Sequence, residues 1–508
     1  MLMRRSAPFL CALLVTMLAI PPASADRGRR SPARLFVFHG AGYGHGLGMS
    51  QYGALGLARK GWASDRIVGH FYRGVAVGPR QPADPTIRAG LLQDAAAARV
   101  IATQGAVDLL VQGGSTVETI PQGQRRTIEV TGDRRFRILR ADGTEVATVG
   151  GPAADLIARL QDGARVRVPE WGHELATGEV RFQVTAPGRA HVLAVMPVEA
   201  YVRGISEVPN SWPLEALGAQ AIAARTYAYW RIAGALRADC GCDVYTSTAD
   251  QYFVGWDKEA APQGERWVHA VEATARSVAT WGGEPIYAAY SSSSGGYTEN
   301  IERVWPGSAP RPYLRGVCDP GDYVTDNPNR VWQVSFERET VTGQLRPYTG
   351  DIGKITGFAD WSLGVSGRVT SVRVVGTRGD RVVEGWDVRS ALSLKDTRFA
   401  VNRNLNITGV IRDRYDLSGC RPGRATSGQR PVPGGREQRF VKGRMFEHGR
   451  RDVAVWLRGQ VLGRYLELGG PRGRLGLPFR TKNVKGGTKA WFDGGTVVCA
   501  PRCRVRFG

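Results

Sequence analysis

The run from Pro213 to Ile232 places the tightest constraint on how this chain can fold. Alanine, which has high helix propensity and little bulk, recurs there at positions 216, 219, 221, 223, 224 and 228. Apolar side chains follow the i, i+3, i+4 spacing of a buried helix face at Leu214, Leu217, Ala221, Ala224 and Ala228. Pro213 suits the first helical position, and Gly234 suits the residue after the end. Because alanine occupies several faces, we expect other elements to pack closely around this helix.

The rest of the chain favours short strands and turns. The 508 residues include 66 glycines, which indicates many turns rather than a helical bundle. Residues 81–190 alternate glycine turns with β-like runs such as 165–168 and 180–184. Residues 421–436 are rich in Pro, Gly and Arg and are predicted to be a linker. The sequence therefore predicts an α+β protein with a β-rich inserted region and a small β-rich module at residues 437–508.

The first 25 residues have the pattern of a secretory signal peptide. Arg4 and Arg5 precede an apolar run from Pro8 to Ile20, and Ala23-Ser24-Ala25 forms a small-residue cleavage site. The alternative is an uncleaved anchor, but polar residues follow the run at once. No later stretch is apolar enough to cross a bilayer. We expect the mature protein to be secreted or held in the cell wall, with no transmembrane segment after signal cleavage.

The net charge of +22 leaves two kinds of partner open. A basic protein can bind nucleic acid, but no nucleic-acid module is recognisable and the export signal argues against this partner. Anionic wall polymers or lipid head groups are the partners that suit a basic exported protein. A solvated arginine-rich surface without a specific partner is the third interpretation.

Six cysteines remain once Cys11, which lies in the predicted signal, is set aside. An even number in an exported chain suggests disulfides, although six cysteines allow 15 connectivities. Cys499 and Cys503 close a short loop and are the pair predicted from spacing.

Four blocks of sequence point to a known family. They are Ser206-Glu207-Val208-Pro209 with the helix that follows to Tyr227, Gly42 to Ala54 (Gly-Tyr-Gly-His-Gly-Leu-Gly-Met-Ser-Gln-Tyr-Gly-Ala), Asp250 to Gly255, and Tyr287 to Asn300. Together they resemble the stage II sporulation protein D (SpoIID/LytB) family over residues 35–407. In that family the glycine-rich block commonly follows the helix, whereas here it precedes it. The resemblance predicts a SpoIID-like domain in rearranged order: the glycine-rich segment (35–80), the β-rich region (81–190) and a catalytic core (191–407).

The resemblance implies a lytic transglycosylase that cleaves the bond between N-acetylmuramic acid and N-acetylglucosamine in denuded glycan strands. One carboxylic acid protonates the leaving oxygen and then deprotonates the muramoyl 6-hydroxyl, giving a 1,6-anhydro end. The family's catalytic glutamate matches Glu207, whose pKa should be raised by apolar surroundings. Glu215 is the other acid in the block, but a charge in the first helical turn explains it.

The same resemblance suggests the groups that bind the substrate: His45, Gln51, Arg225, Gln251, Tyr290, Ser293 and Tyr297. His45 either contacts substrate or is satisfied by hydrogen bonds beneath the glycine-rich turn. Arg225 would lower the pKa of Glu207 if it paired with it, which favours a structural role for the arginine.

Some relatives bind zinc through one His and two Cys after the helix. Cys240 and Cys242 lie in that region, but the nearest histidine is His269, and structural zinc normally has four ligands. We therefore expect no metal and no cofactor, and a disulfide from this pair to Cys318 or Cys420.

The terminal module resembles an LGFP repeat, found in wall-associated proteins, at Gly463–Pro478 and Trp491–Gly495. This resemblance implies wall binding; the alternative is a small module that only packs on the enzyme. At the level of the whole chain, the competing hypothesis is a non-catalytic protein that binds peptidoglycan or stimulates a wall amidase.

Overall fold

A computed structural model describes residues 35–80 and 84–508, so the predicted signal peptide at 1–25 lies outside the described residues. The described part is a mixed α+β protein, as the sequence predicts. Its first segment contains strands β1 (Leu35–Gly40), β2 (Met49–Ser50) and β3 (Ala76–Pro79) and helices α1 (Gln51–Ala58) and α2 (Ser64–Phe71).

The β-rich region consists of twelve strands in two antiparallel sheets. They are β4 (Thr86–Ala95), β5 (Ala97–Gln104), β6 (Val107–Val111), β7 (Thr116–Ile120), β8 (Arg125–Val130), β9 (Phe136–Leu139), β10 (Glu145–Val149), β11 (Leu156–Leu160), β12 (Arg165–Val168), β13 (His173–Leu175), β14 (Glu179–Ala186) and β15 (Arg189–Pro197). One sheet has the order β10-β9-β8-β5-β12-β13, and the other runs β4-β15-β14-β11-β6-β7. Alternate residues of both sheets enter one apolar core, as period-two patterning requires. The two predicted β-runs are confirmed as β12 and part of β14.

The next segment contains the long helix. Its elements are α3 (Val198–Arg203), α4 (Leu214–Ile232), β16 (Val244–Tyr245), α5 (Trp256–Ala260), α6 (Gly264–Ala273), β17 (Ser277–Trp281), β18 (Glu284–Pro285), β19 (Tyr290–Ser291) and α7 (Ile301–Val304). Strand β16 extends the second sheet by pairing in parallel with β4.

Helix α4 is enclosed on most sides, as its alanine content predicts. Every residue from 216 to 229 is buried, and the neighbours are α1, α2, α3, α6 and β17. The helix begins at Leu214, with Pro213 as its N-cap residue. The prediction that Leu214 is buried is wrong: it is 40% exposed, because the first turn extends beyond the elements that cover the rest.

The chain then forms a second, smaller core. Its elements are β20 (Trp332–Glu337), α8 (Arg338–Thr349), β21 (Ile355–Leu363), β22 (Val369–Gly376), β23 (Asp380–Glu384), α9 (Gly385–Ala391), β24 (Phe399–Val401) and α10 (Gly409–Leu417). Strand β1 lies between β20 and β24 in a three-stranded sheet, antiparallel to both. The N-terminal segment is therefore tied to elements about 300 residues further along the chain.

The terminal module contains two four-stranded antiparallel sheets and one helix. The elements are β25 (Arg430–Val432), β26 (Gly435–Phe440), β27 (Gly443–His448), β28 (Val453–Leu457), α11 (Gly459–Glu467), a 3-10 turn (Gly470–Arg472), β29 (Pro478–Val484), β30 (Gly487–Phe492), β31 (Gly495–Cys499) and β32 (Cys503–Phe507). Strand β25 falls within the predicted linker and pairs with β26. Residues 421–436 are thus partly folded into the module, because β25 supplies the edge of its first sheet.

Three disulfides link the six cysteines. The predicted Cys499–Cys503 pair is confirmed. The prediction for Cys240 and Cys242 is wrong, because these two pair with each other and Cys318 pairs with Cys420. Across residues 35–80 and 84–508, no helix combines the length and apolarity needed to cross a bilayer.

Candidate functional site

The glycine-rich block meets the serine-rich block although about 240 residues separate them. Tyr43 and Ser293 form an antiparallel bridge, and β2 pairs in parallel with β19. Gly46 and Gly48 have positive φ values of 71° and 60°, a conformation that glycine adopts without strain. A Cβ atom would lie 2.1 Å from the Arg368 guanidinium at Gly46 and 2.0 Å from the Ala289 carbonyl oxygen at Gly48. Only glycine allows this close approach.

Two buried aspartates hold both blocks in place. Ser50 caps helix α1 by accepting from Gly53 N–H and donates to Asp322 at 2.8 Å. Ser294 donates to Asp319 at 2.7 Å. Burial, followed by the nearby Asp322 carboxylate, raises the pKa of Asp319 to about 7. Sequence reasoning missed this pair; the signal available was the Cys-Asp-Pro-Gly-Asp turn at 318–322.

The backbone around Glu207 is fixed on both sides. Ser206 N–H donates to the Tyr252 carbonyl at 2.8 Å, and Ile205 bridges to Phe253. After Glu207, the buried Lys258 ammonium donates to the Val208 carbonyl at 2.7 Å. Backbone contacts on both sides of Glu207 therefore anchor the loop that precedes α4.

The Glu207 carboxyl group accepts three hydrogen bonds. Tyr252 N–H donates to Oε1 at 2.7 Å, the Tyr290 hydroxyl donates to the same oxygen at 3.5 Å, and Gln51 Nε2 donates to Oε2 at 3.5 Å. Burial raises the pKa of this carboxyl group above its usual value, although these donors and the Lys258 charge oppose the rise. The Glu207 carboxyl group therefore keeps its proton to a higher pH than the carboxyl group of an exposed glutamate does.

Glu207 lies in a cleft of about 550 Å³. Six tyrosine and tryptophan side chains line it: Tyr43, Tyr227, Tyr287, Tyr290, Trp305 and Trp386. The rings of Tyr287 and Trp305 lie 5.7 Å apart, with an angle of 48° between their planes. Aromatic faces and polar groups around one carboxyl group are suited to a saccharide, whose rings present apolar faces and hydroxyl edges.

His45 lines the same cleft as Glu207. Its Nδ1 atom accepts from Leu47 N–H at 2.9 Å, so the proton of the neutral ring lies on Nε2. Burial and the Arg368 charge lower the pKa of His45 to about 4, which keeps the imidazole neutral at physiological pH. Both sequence interpretations hold in part: the ring is hydrogen-bonded beneath the glycine turns, and it also faces the cleft.

The structure divides the predicted substrate-binding residues into two groups. Gln51, His45 and Tyr290 line the Glu207 cleft. Gln251 is fully buried and donates to the Tyr290 hydroxyl at 3.0 Å and to the Ala224 carbonyl at 3.2 Å. It therefore positions Tyr290 rather than contacting a ligand.

The other three predicted residues lie elsewhere. Ser293 is fully buried and donates to Asp322 at 2.9 Å. Tyr297 packs against the cluster around Tyr415, because glycine turns at 295 and 296 redirect the chain. Arg225 is buried in a bidentate ion pair with Glu199 at 2.8 Å, which supports the structural role and removes it from the substrate set.

Two cleft residues come from a part of the chain without any recognised block. Helix α9 supplies Trp386 and Arg389, and the guanidinium carbon of Arg389 lies 4.5 Å from the centre of the Trp386 ring. No local pattern pointed to them, because nothing near residues 385–391 shows that α9 packs beside the glycine-rich block.

Asp250 is a second carboxylate at the cleft, and its oxygens accept hydrogen bonds from three donors. It accepts from the Tyr227 hydroxyl, from Tyr245 N–H at 2.8 Å and from Arg237 at 2.5 Å. These contacts hold the Asp250 side chain in one orientation. Cys240 and Cys242 form a disulfide and are not available as zinc ligands.

The fold and the site define an α+β protein that presents the Glu207 carboxyl group in an aromatic-lined cleft. The family model described as SpoIID, Stage II sporulation protein, matches residues 187–281, which include Glu207 and α4. Over residues 187–281 this chain is therefore similar to the SpoIID family.

Several known proteins are similar in sequence to this chain. Stage II sporulation protein D from Bacillus subtilis (strain 168) is 30% identical over 224 residues, covering 41% of this chain and 61% of that protein. The protein of the same name from Bacillus amyloliquefaciens is 28% identical over 227 residues, covering 42% and 62%. The Amidase enhancer of Bacillus subtilis (strain 168) is 36% identical over 169 residues, covering 31% and 21%. The chain spans about three fifths of the length of the two sporulation proteins.

Proposed function

We propose that this protein is an exported lytic transglycosylase that cleaves glycan strands of peptidoglycan with Glu207 as acid and base. The observation that carries the proposal is the position of Glu207. Its carboxyl group lies in a 550 Å³ cleft, and burial raises its pKa. A general acid needs a proton at working pH, and this environment helps to retain it.

The reaction needs only one such group. Protonated Glu207 donates its proton to the glycosidic oxygen as the bond to the muramoyl anomeric carbon breaks. The resulting carboxylate then takes the proton of the muramoyl 6-hydroxyl, whose oxygen bonds to the anomeric carbon. The products are a free 4-hydroxyl and a 1,6-anhydro ring. Glu207 ends protonated, and no water is consumed.

The surroundings of Glu207 support this cycle. Tyr252 N–H, the Tyr290 hydroxyl and Gln51 stabilise the carboxylate formed after the first proton transfer. Glycosidases that hydrolyse their substrate use two carboxylates. Asp250, the other carboxylate identified at this cleft, already accepts from three donors. This favours a mechanism with one acid over one with an acid and a separate carboxylate base.

Export and wall attachment belong to the same proposal. The predicted signal at 1–25 would deliver the chain to the wall, and the module at 437–508 would hold it there. The substrate is expected to be a glycan strand without stem peptides, as the family resemblance implies.

Purified protein incubated with denuded glycan strands tests the activity. Mass spectrometry should find new 1,6-anhydro-muramoyl ends, and the Glu207→Gln variant should produce none. If wild-type protein yields no anhydro ends at any pH between about 4 and about 9, the enzymatic proposal is wrong.

A second function has its own supporting observation. The 36% identity to a protein named Amidase enhancer supports a non-catalytic role in which this chain binds peptidoglycan and stimulates a wall amidase. The two functions are separated by adding an amidase to intact peptidoglycan. Stimulation that persists in Glu207→Gln would support the non-catalytic role, whereas stimulation that disappears would not.

A further inference from the structure

A small cationic cleft lies where α10 meets the terminal module, far along the chain from the Glu207 block. It has a volume of about 180 Å³, and Arg414, Arg421, Arg458 and Lys482 line it with Trp456 and Thr481. The positive residues come from α10, the segment after it, the N-cap position of α11 and strand β29. No carboxylate belongs to its lining.

The four positive charges are not neutralised within the part of the chain that the structure describes. Arg421 donates to the Ser418 carbonyl at 2.7 Å, and the Arg458 guanidinium carbon lies 4.6 Å from the centre of the Trp456 ring. Neither contact supplies negative charge, and none of the four side chains forms an ion pair in residues 35–80 and 84–508. The Arg414 Nε atom is buried without a hydrogen-bond partner. A buried donor without an acceptor costs free energy.

Strand pairing adds to this concentration of charge. Lys482 and Lys489 lie directly opposite each other on β29 and β30, and like charges in that position are destabilising. Residues 437–508 contain 16 Lys and Arg but only 5 Asp and Glu, a net charge of +11 within a chain of +22. The module thus carries half of the net charge, and two of its cations, Arg458 and Lys482, lie at the cleft together with Arg414 and Arg421.

We propose that this cleft binds the phosphate group of a phosphodiester-linked polyol or sugar polymer. Guanidinium groups match the geometry of phosphate oxygens, and an ammonium group adds a point charge. The volume accommodates one phosphate with its neighbouring atoms. Thr481, Asn483 and Thr488 at the same cleft offer hydroxyl and amide partners for polyol or sugar hydroxyl groups. Such a contact would hold the chain on an anionic polymer while the Glu207 cleft remains free.

Isothermal titration calorimetry with the purified protein tests this site. The probes are a glycerol phosphate oligomer, inorganic phosphate, and single-stranded DNA with the same number of phosphates. The glycerol phosphate oligomer should bind more tightly than inorganic phosphate and DNA. The double variant Arg421→Gln/Lys482→Gln should weaken its binding at least about 10-fold. Both side chains are exposed, so the fold should survive, and an unchanged melting temperature verifies this.

The matched control is Lys485→Gln/Arg504→Gln, which removes the same charge from exposed positions of the same module outside the cleft. It should change binding less than about 2-fold. Equal losses in both variants would show attraction to the net charge alone and would overturn the proposal. Binding of inorganic phosphate without the oligomer, or preferential binding of DNA, would also overturn it. The glycan-cleavage assay is a separate readout: both variants should cleave denuded strands as the wild type does, whatever the binding result.

Discussion

Replacing Glu207 with glutamine tests the acid-base role and the burial of this side chain together. Glutamine keeps an oxygen that can accept from Tyr252 N–H, which lies 2.7 Å from Glu207 Oε1, but it carries no transferable proton. General acid-base catalysis contributes about 10²- to 10⁴-fold. Because Glu207 serves both proton transfers, we expect the upper part of that range, or about 4 to 5 kcal/mol of transition-state stabilisation.

The same substitution should not destabilise the fold. Burial raises the pKa of Glu207 above that of the unfolded chain, so the folded protein binds more protons than the unfolded one between those two pKa values. Its stability therefore falls as pH rises through that interval and stays lower above it. The Glu207→Gln substitution removes this cost, because the amide does not ionise. The melting temperature at about pH 8 should equal or exceed that of the wild type while the anhydro products disappear.

Glu215→Gln is the matched control from the same sequence block. Glu215 Oε2 accepts from Ser64 N–H at 2.7 Å and from the Ser64 hydroxyl at 2.8 Å, so it acts at the start of α2 rather than in the cleft. We expect activity within about 2-fold of the wild type and a stability loss of about 0.5 to 1 kcal/mol. Rates of anhydro-end formation and urea unfolding measure both quantities. Full activity in Glu207→Gln, or an equal loss in Glu215→Gln, would refute the reasoning.

Three further predictions concern groups around the site. Tyr290→Phe removes a hydrogen bond that lowers the pKa of Glu207, so the basic limb of the pH–rate profile should move to higher pH; an unchanged or lower limb would contradict this role. Asp319 has a folded pKa of about 7 against an ordinary value of 3.8, so wild-type stability should fall between about pH 4 and about pH 7, and Asp319→Asn should flatten that fall in urea unfolding. Replacing both Cys318 and Cys420 with Ser opens a link across 102 residues and should cost about 4 to 5 kcal/mol in the same assay, whereas a negligible loss would argue against the link.

Elements whose structure depends mainly on their own residues could be predicted from the sequence. Alanine content and spacing predicted α4 and its enclosure, because a helix with small residues on several faces can be buried on all of them. The exposure of Leu214 could not be predicted, since it depends on where neighbouring elements stop. The disulfide between Cys240 and Cys242 was also missed, because their spacing alone did not exclude partners elsewhere.

Of the residues at the cleft, the sequence predicted only those that lie in the recognised blocks. Glu207, His45, Gln51 and Tyr290 lie at one cleft, although the glycine-rich block precedes the helix in this chain. Residue type alone was a poor guide to exposure. Ser293 looks like a ligand in sequence, yet it is buried against Asp322.

Other site residues depend on tertiary packing. Trp386 and Arg389 reach the cleft only because α9 packs beside the glycine-rich segment, which β1 ties to the second core through β20 and β24. Long-range pairing of this kind leaves no local pattern around residues 385–391. The cationic cleft at the terminal module has the same origin, since its residues come from separate elements.

The source of the oxygen in the product tests the single-acid account most directly. Denuded glycan strands are cleaved in water enriched in the heavy oxygen isotope, and the new ends are weighed by mass spectrometry. Attack by the muramoyl 6-hydroxyl predicts anhydro ends without heavy oxygen. Reducing ends that contain one heavy oxygen atom would instead mean that water attacks the anomeric carbon, and the role given to Glu207 would be wrong.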